Sequence, residues 1–269
     1  MDLKKKKEVN GLLQLQLFNR YVKSMIKQKN DNSHSPQGNG KKYIVILACH
    51  CNSDIKLEVL KKNLKYFDFE NIQKIVINTI GLEFGNMVSE ICSKHNNTKY
   101  YEISNSYYYD FGKWIYGLKN IAKNHIYDYV ILTNDSFIIH NSINHFFNLI
   151  AKHNVELYGY NDSSQTKYHY QSYLFSLRKD AVPLFIVKVN DTSLKIKNQN
   201  DVINNFETEM TNWFSSKKTF LNLGNFELNK FQNIFFTNDK LYLPLKKFGL
   251  LPFTKIKRLH LIILNNFFE

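Results

Sequence analysis

Several common architectures are excluded by what this sequence has too little of. Three cysteines, Cys49, Cys51 and Cys92, are too few and odd in number for a disulfide framework, which favours a reducing compartment. Ten Gly and four Pro exclude collagen-like and proline-rich chains. No apolar run reaches ~18 residues, so no transmembrane helix is expected. Lys4-Lys5-Lys6-Lys7 is followed by neither a pure apolar stretch nor a small-residue cleavage site, so no signal peptide is expected. The GxGxxG fingerprint, the Walker A loop, HExxH and GxSxG are all missing, and the enzyme classes built on them lose their main support. What remains is 269 residues of ordinary globular composition, 43% hydrophobic and 22% charged, enough for one large domain.

Arginine is scarce too. The formal net charge is +13, yet of 36 basic residues only Arg20, Arg178 and Arg258 are Arg, which leaves 33 Lys. Base readout and bidentate phosphate clamps draw heavily on Arg, so nucleic acid is not the expected partner. Asn is about as abundant as Lys, the mark of an AT-rich source such as a bacterium or a large DNA virus. The charge is also uneven: residues 1–42 hold ten basic residues against Asp2, Glu8 and Asp31, a net of +7. A basic nucleic-acid-binding protein driven by this arm remains the minor alternative.

Three zones follow from the pattern. Residues 1–30 read as a basic amphipathic helix, with Leu13, Leu17, Tyr21 and Met25 four apart. It suits an anionic membrane surface, a partner protein, or packing on the body. Residues 30–42 are polar with Gly and Pro, and read as a linker. From Tyr43 the pattern alternates. Strands are expected at 43–48, 74–78, 100–103, 129–133, 156–160 and 170–177. Helices are expected at 54–66, 83–95, 110–125 and 143–153, then near 201–216 and 240–248. Strands alternating with helices imply an α/β fold with a mostly parallel sheet flanked by helices. The expected location is cytoplasmic, with membrane association through the arm.

In open α/β sheets, ligands bind outside the carboxyl ends of the strands. Strand 43–48 runs into Cys49-His50-Cys51-Asn52, strand 129–133 into Asn134-Asp135-Ser136, and strand 156–160 into Asn161-Asp162-Ser163-Ser164. Three polar strand ends point to one shared crevice. Asn134-Asp135-Ser136 suits one carboxylate holding a divalent cation against phosphates, and equally a turn or helix cap. Asp110 opens a helix with Lys113 nearly one turn later, an acid for hydroxyls and a lysine for phosphate, or simply a cap and a solvated Lys. His169 suits a ligand, a phosphate donor or a packed core residue. Cys49-His50-Cys51, with only Cys92 elsewhere, lacks the spaced pairs of a structural zinc site.

Taken in order, Asp110-Phe-Gly-Lys-Trp114, Tyr127-Asp-Tyr-Val-Ile-Leu-Thr-Asn-Asp-Ser136 and His169-Tyr-Gln-Ser-Tyr-Leu-Phe-Ser-Leu-Arg-Lys179 resemble the rhamnan synthesis protein F family of glycosyltransferases. Val202-Ile-Asn-Asn-Phe-Glu-Thr-Glu-Met-Thr211 and Leu251-Pro-Phe-Thr-Lys255 are similar to two later motifs of that family. The likeness covers roughly residues 43–258 and leaves the arm outside. It implies a GT-A-like (Rossmann-like) fold over 43–269, with residues 43–136 as the nucleotide-sugar-binding part and 137–269 as the acceptor-side part. It implies transfer of a sugar, rhamnose or another deoxyhexose, from a nucleoside-diphosphate sugar to a glycan or glycoconjugate.

The roles implied are these. His50, Asp110, Lys113, Asn134, Asp135, Ser136, His169 and Lys255 line the donor, with Asp135 the ligand for Mg²⁺ or Mn²⁺ if a cation is used. Inverting transfer needs a carboxylate to take the acceptor proton. Glu207 is the matched candidate and Asp162 the runner-up. Glu207 is expected at the edge of a buried helix face, and Glu209 in water. A nucleotide-sugar-binding protein without catalysis is the alternative.

Overall fold

The computed structural model describes residues 40–104, 109–139, 143–163, 167–221 and 253–255. The arm expected at 1–30, most of the linker and the helix expected near 240–248 lie outside the described residues. No helix among those described is long and apolar enough to cross a membrane.

The body begins with β1 (Tyr43–Ala48), α1 (Asp54–Tyr66), β2 (Ile72–Thr79), α2 (Gly85–Ser93) and β3 (Thr98–Ile103). Next come α3 (Tyr109–Tyr116), β4 (Tyr129–Asn134), β5 (Phe137–Ile139) and α4 (Asn144–His153). The chain continues through β6 (Leu157–Ser163), β7 (His169–Tyr170), β8 (Leu174–Arg178), α5 (Val182–Ser193), α6 (Gln199–Val202), α7 (Thr208–Met210), β9 (Lys217–Leu221) and β10 (Phe253–Lys255). One sheet runs in the order β3-β2-β1-β4-β8-β6-β7, with β9 beside β6. β1 to β4 are mutually parallel where they pair, β8 is antiparallel to both β4 and β6, and β9 runs parallel to β6. The result is a mostly parallel sheet flanked by helices in a single α/β domain, as the alternation of patterns implied.

Burial on both faces explains why β1 and β4 read as unbroken apolar runs: every residue of each is buried. Tyr43, Val45 and Leu47 face one helical layer with Leu57, Leu60, Leu64, Phe146 and Phe147. Ile44, Ile46 and Ala48 face the other, with Phe111, Trp114, Leu118 and Phe185. Because β1 lies between β2 and β4, the chain winds outward to β3 and then crosses back. This makes the β1–β4 junction the topological switch point, where such sheets leave a crevice.

Two helices depart from simple α periodicity. α3 continues as a π turn over Gly117–Ile121, and α6 as a π turn over Ile203–Glu207. A Cβ on Gly117 would sit 2.9 Å from Ile46 Cγ2 and 2.9 Å from Ile77 Cδ1. Only glycine lets the wide turn lie this close to β1 and β2. The single helix expected at 110–125 is therefore a composite of three tightnesses of turn.

The expected strand 170–177 is also two. Gln171 to Tyr173 make a turn, so β7 pairs with the end of β6 while β8 inserts between β4 and β6. The strand expected at 156–160 runs on to Ser163, because Asp162 and Ser163 find β7 as a partner. Asp162 thus lies inside β6 rather than beyond its end.

Candidate functional site

The site starts where β1 and β4 end side by side, with Ala48 opposite Asn134. One step on, Asp135 N donates to Ala48 O at 3.2 Å, which turns the chain across the strand tips. The buried Asp135 carboxylate accepts at both oxygens. Its Oδ2 accepts from the His50 backbone N–H at 2.7 Å, and its Oδ1 accepts from Lys56 Nζ at 2.7 Å. Lys56 Nζ also donates to the Asp135 backbone oxygen at 2.8 Å. Lys56 belongs to the first turn of α1, directly after the β1 tip.

Asn134 serves as both turn and bridge. Its Oδ1 accepts from Ser136 N at 3.0 Å and Ser136 Oγ at 2.6 Å, an Asx turn closing on itself. Its Nδ2 donates to Asp110 Oδ2 at 2.8 Å. Asp110 is brought there by Trp114, which is fully buried and donates its indole N–H to Thr133 O at 2.8 Å. That bond fixes α3 against the end of β4, and Asp110 stands about one turn before it. Immediately before Asp110, Tyr109 has φ 47°, a left-handed conformation that a bulky side chain rarely adopts.

The charges interact. Asp110 is pushed up to about 6, first by burial and then by the Asp135 carboxylate, with Glu207 adding to the rise. Lys113 and the Asn134 amide pull the other way. Lys113, expected on the alternative reading to be solvated, is only 2% exposed. His50 is held below its ordinary value by burial and then by the Lys113 ammonium, so its ring is neutral at pH 7. Its Nδ1 lies 2.9 Å from Thr79 Oγ1 at the end of β2.

Glu207 ends the second π turn, which packs against α3 through the stacked rings of Phe206 and Phe111. Ser172, in the turn between β7 and β8, donates Oγ to Glu207 Oε1 at 2.8 Å. Glu207 is half-buried, at the edge of a face whose buried members include Phe206 and Met210. Glu209 points away and pairs with Lys167 at the surface.

The structure therefore gathers His50, Asp110, Lys113, Asn134, Asp135, Ser136 and Glu207. Of the remaining candidates, Asp162 and His169 belong to the β6–β7 hairpin, with β8 between β6 and β4 in the sheet. Asp162 is buried within β6, hydrogen-bonded to Tyr168, whose phenol is held up by burial first and then by that carboxylate. His169 is buried in β7 with Nδ1 2.8 Å from Lys167 O and Nε2 3.2 Å from Gln171 Nε2, so both ring nitrogens are engaged within its own hairpin. The backbone of Lys255 pairs antiparallel with Phe137, two residues after Asp135; its side chain lies outside the described part.

Cys49, Cys51 and Asp135 offer ligand atoms within 4.8 Å of one another, the one such group among the described residues. The donor set does not fit a hard divalent cation as it stands. Both Asp135 carboxylate oxygens, its backbone oxygen and Asn134 Oδ1 already accept from protein donors. Burial pushes the Cys49 thiol well above its ordinary value, so it holds its proton where a ligand must release it.

Sequence reasoning missed Lys56, Thr79 and Ser172. A signal for Lys56 existed: a basic residue in the first turn of the helix after the first strand necessarily lies near the strand tips. Thr79 and Ser172 carried none, because hydroxyls at strand ends and turns are ordinary.

No family model matches the chain. Two curated proteins, both called virulence protein VirA, from Vibrio anguillarum strain ATCC 68554 / 775 and from Vibrio anguillarum, are each 35% identical over 115 residues. The match takes in 40% of this chain and 36% of theirs, so it spans about a third of the length of those relatives. Among solved structures, S. aureus TarS 1–349 in complex with UDP is 13% identical, overlapping 66% of this chain and 57% of its own at a TM-score of 0.45. The mannosyltransferase PcManGT from Pyrobaculum calidifontis, in complex with GDP-Man and Mn²⁺, is 8% identical, overlapping 61% and 53% at a TM-score of 0.39. With TM-scores below 0.5 these overlaps are partial, and the side chains at the strand tips carry the functional reading.

Proposed function

We propose that the chain is a glycosyltransferase that moves a sugar, rhamnose or another deoxyhexose, from a nucleoside-diphosphate sugar to a glycan or glycoconjugate acceptor with inversion. One observation carries the reading. Acidic and basic side chains from α3, the β1 tip and the β4 tip converge at the switch point of a mostly parallel sheet, on the residues that resemble the rhamnan synthesis protein F motifs. The VirA likeness and the nucleotide-bound transferases similar in layering are compatible with it.

In this reading Asp110 meets hydroxyls of the donor, and Lys113 faces its diphosphate. Glu207 takes the proton of the acceptor hydroxyl as its oxygen attacks the anomeric carbon. The bond from that carbon to the phosphate oxygen breaks, and the nucleoside diphosphate leaves with the electron pair. Ser172 orients the Glu207 carboxylate. Asp162 stays the runner-up base, and His169 and Lys255 outlying donor contacts. Residues 43–136 serve the donor and 137–269 the acceptor, with the arm at an anionic membrane surface on the cytoplasmic side.

The test is turnover of UDP-, GDP- and dTDP-sugars by the full chain, with and without Mn²⁺. Transfer or slow donor hydrolysis is expected, and Asp135→Ala should abolish it while the chain stays folded. Donor binding without any turnover would instead make the protein a non-catalytic nucleotide-sugar binder. Unchanged turnover in Asp135→Ala would remove that residue from the site.

A further inference from the structure

We infer that Lys56, rather than a divalent cation, supplies the fixed positive charge at the β4 tip, and that its ammonium faces the diphosphate of the donor. This rests on the donor-site reading above and deepens it. The geometry carries the argument. A cation bound to Asp135 would have to displace an ammonium of like charge: Lys56 Nζ donates to both Asp135 Oδ1 and Asp135 O, while Asp135 Oδ2 accepts from His50 N–H and Asn134 Oδ1 from Ser136. Lys56 Nζ sits 2.7 Å and 2.8 Å from the first two, the position a bound ion would take. The nearby sulfurs belong to buried thiols.

Position and chemistry agree with this. Lys56 comes from the first turn of α1, at the switch point between β1 and β4, and its side chain keeps 23% exposure while Asp135 keeps 8%. Asp135 thus holds the lysine from behind. An ammonium has three N–H donors; two go to Asp135, and the third is available on the exposed side for a phosphoryl oxygen. Lys113 comes from α3 in the helical layer opposite to that of α1, and both lysines act on His50, so the diphosphate would lie between lysines of the two layers. The charge built on the leaving group would then meet donors already in place, with no ion to recruit.

The arrangement gives Asp135 a positioning role. It fixes the direction of the Lys56 ammonium and does not itself touch the donor. It also accounts for a strand end with one carboxylate, since one is enough to orient a lysine.

The experiment measures binding of UDP, GDP and dTDP to the full chain by calorimetry, in EDTA and then in Mn²⁺ or Mg²⁺. The nucleotide that binds is expected to do so in EDTA, with an affinity within about twofold of that in Mn²⁺. Lys56→Met should weaken binding by about tenfold or more, and Lys56→Arg should recover most of it, because the lost group is a half-buried, hydrogen-bonded charge partner. Mn²⁺ alone, followed by its EPR signal, should stay free beside the wild-type chain. Tightening of wild-type nucleotide binding by about tenfold or more on adding Mn²⁺ would overturn the inference and leave the donor site standing. So would an unchanged affinity in Lys56→Met. If none of the three nucleotides binds under either condition, the donor-site reading itself falls. Should Lys56→Met fail to fold, the wild-type comparison in EDTA and Mn²⁺ decides alone.

Discussion

Asp110 should be held charged at a cost to stability, and the cost is measurable. Its carboxyl is raised from 3.8 to about 6, through burial, the neighbouring Asp135 and the more distant Glu207, against the pull of Lys113 and Asn134. A rise of that size corresponds to about 3 kcal/mol, trimmed to about 2 kcal/mol by solvent at the crevice mouth. The sign follows from proton binding. Between about pH 4 and pH 6 the folded chain holds the Asp110 proton that the unfolded chain has lost, so the stability from this group is fully present below pH 4 and fades as pH rises through 6.

Asp110→Asn copies the protonated form in shape and still accepts from Asn134. Its stability relative to wild type should be near zero at pH 4, then grow to about 2 kcal/mol in the variant's favour by pH 8. Urea unfolding of both chains at pH 4, 6 and 8 reads this directly. The difference between the chains also cancels His50, whose lowered value gives the opposite slope. Curves that run parallel to within about 0.5 kcal/mol would refute the reasoning, and so would a variant less stable than wild type at pH 8.

Glu207→Gln should lower turnover by about a hundredfold or more with donor affinity nearly constant, while Glu209→Gln, which loses only its surface pair with Lys167, stays near wild type in steady-state kinetics. Equal losses in the two variants would exclude Glu207 as the base. Asn63→Ala should destabilise the chain by about 2–5 kcal/mol in urea melts, since its buried amide donates to Phe137 O at 2.9 Å and accepts from Ile139 N at 2.9 Å, leaving two backbone groups unsatisfied. For the arm, co-sedimentation with anionic liposomes should drop when residues 1–42 are removed; equal pelleting of both chains counts against membrane contact.

The parts of the fold that were legible are those where one physical demand dominates. β1 and β4 are buried on both faces, so their apolar runs could mean little else. α1 was legible over its full length from its apolar spacing, with Leu57, Val59, Leu60 and Leu64 on the buried face. The meeting of His50 with Asp135 was implied by strand ends in a parallel sheet. Asp162 and His169 each obey a tertiary partner invisible in local pattern. β6 runs through Asp162 because β7 returns alongside it, and His169 is tied to Lys167 and Gln171 by the same hairpin. Lys113 reads as a surface residue because lysine usually is one. The π turns have no signature in spacing, since they slip the helical phase by a fraction of a turn.

The pairing of β10 with β5 has a consequence for how the protein comes off the ribosome. Phe253 meets Ile139, 114 positions earlier in the numbering, so the edge of β5 stays open until residue 255 has been made. The parallel strands β1 to β4 can close long before that, since all their mutual partners have been made by residue 134. A nascent chain therefore carries a formed nucleus with a short apolar edge exposed just beyond Asp135, the kind of edge that recruits stray strands. A stop codon after β9 and before position 253 would make that transient state permanent, and should yield a chain that folds in its core yet aggregates through β5.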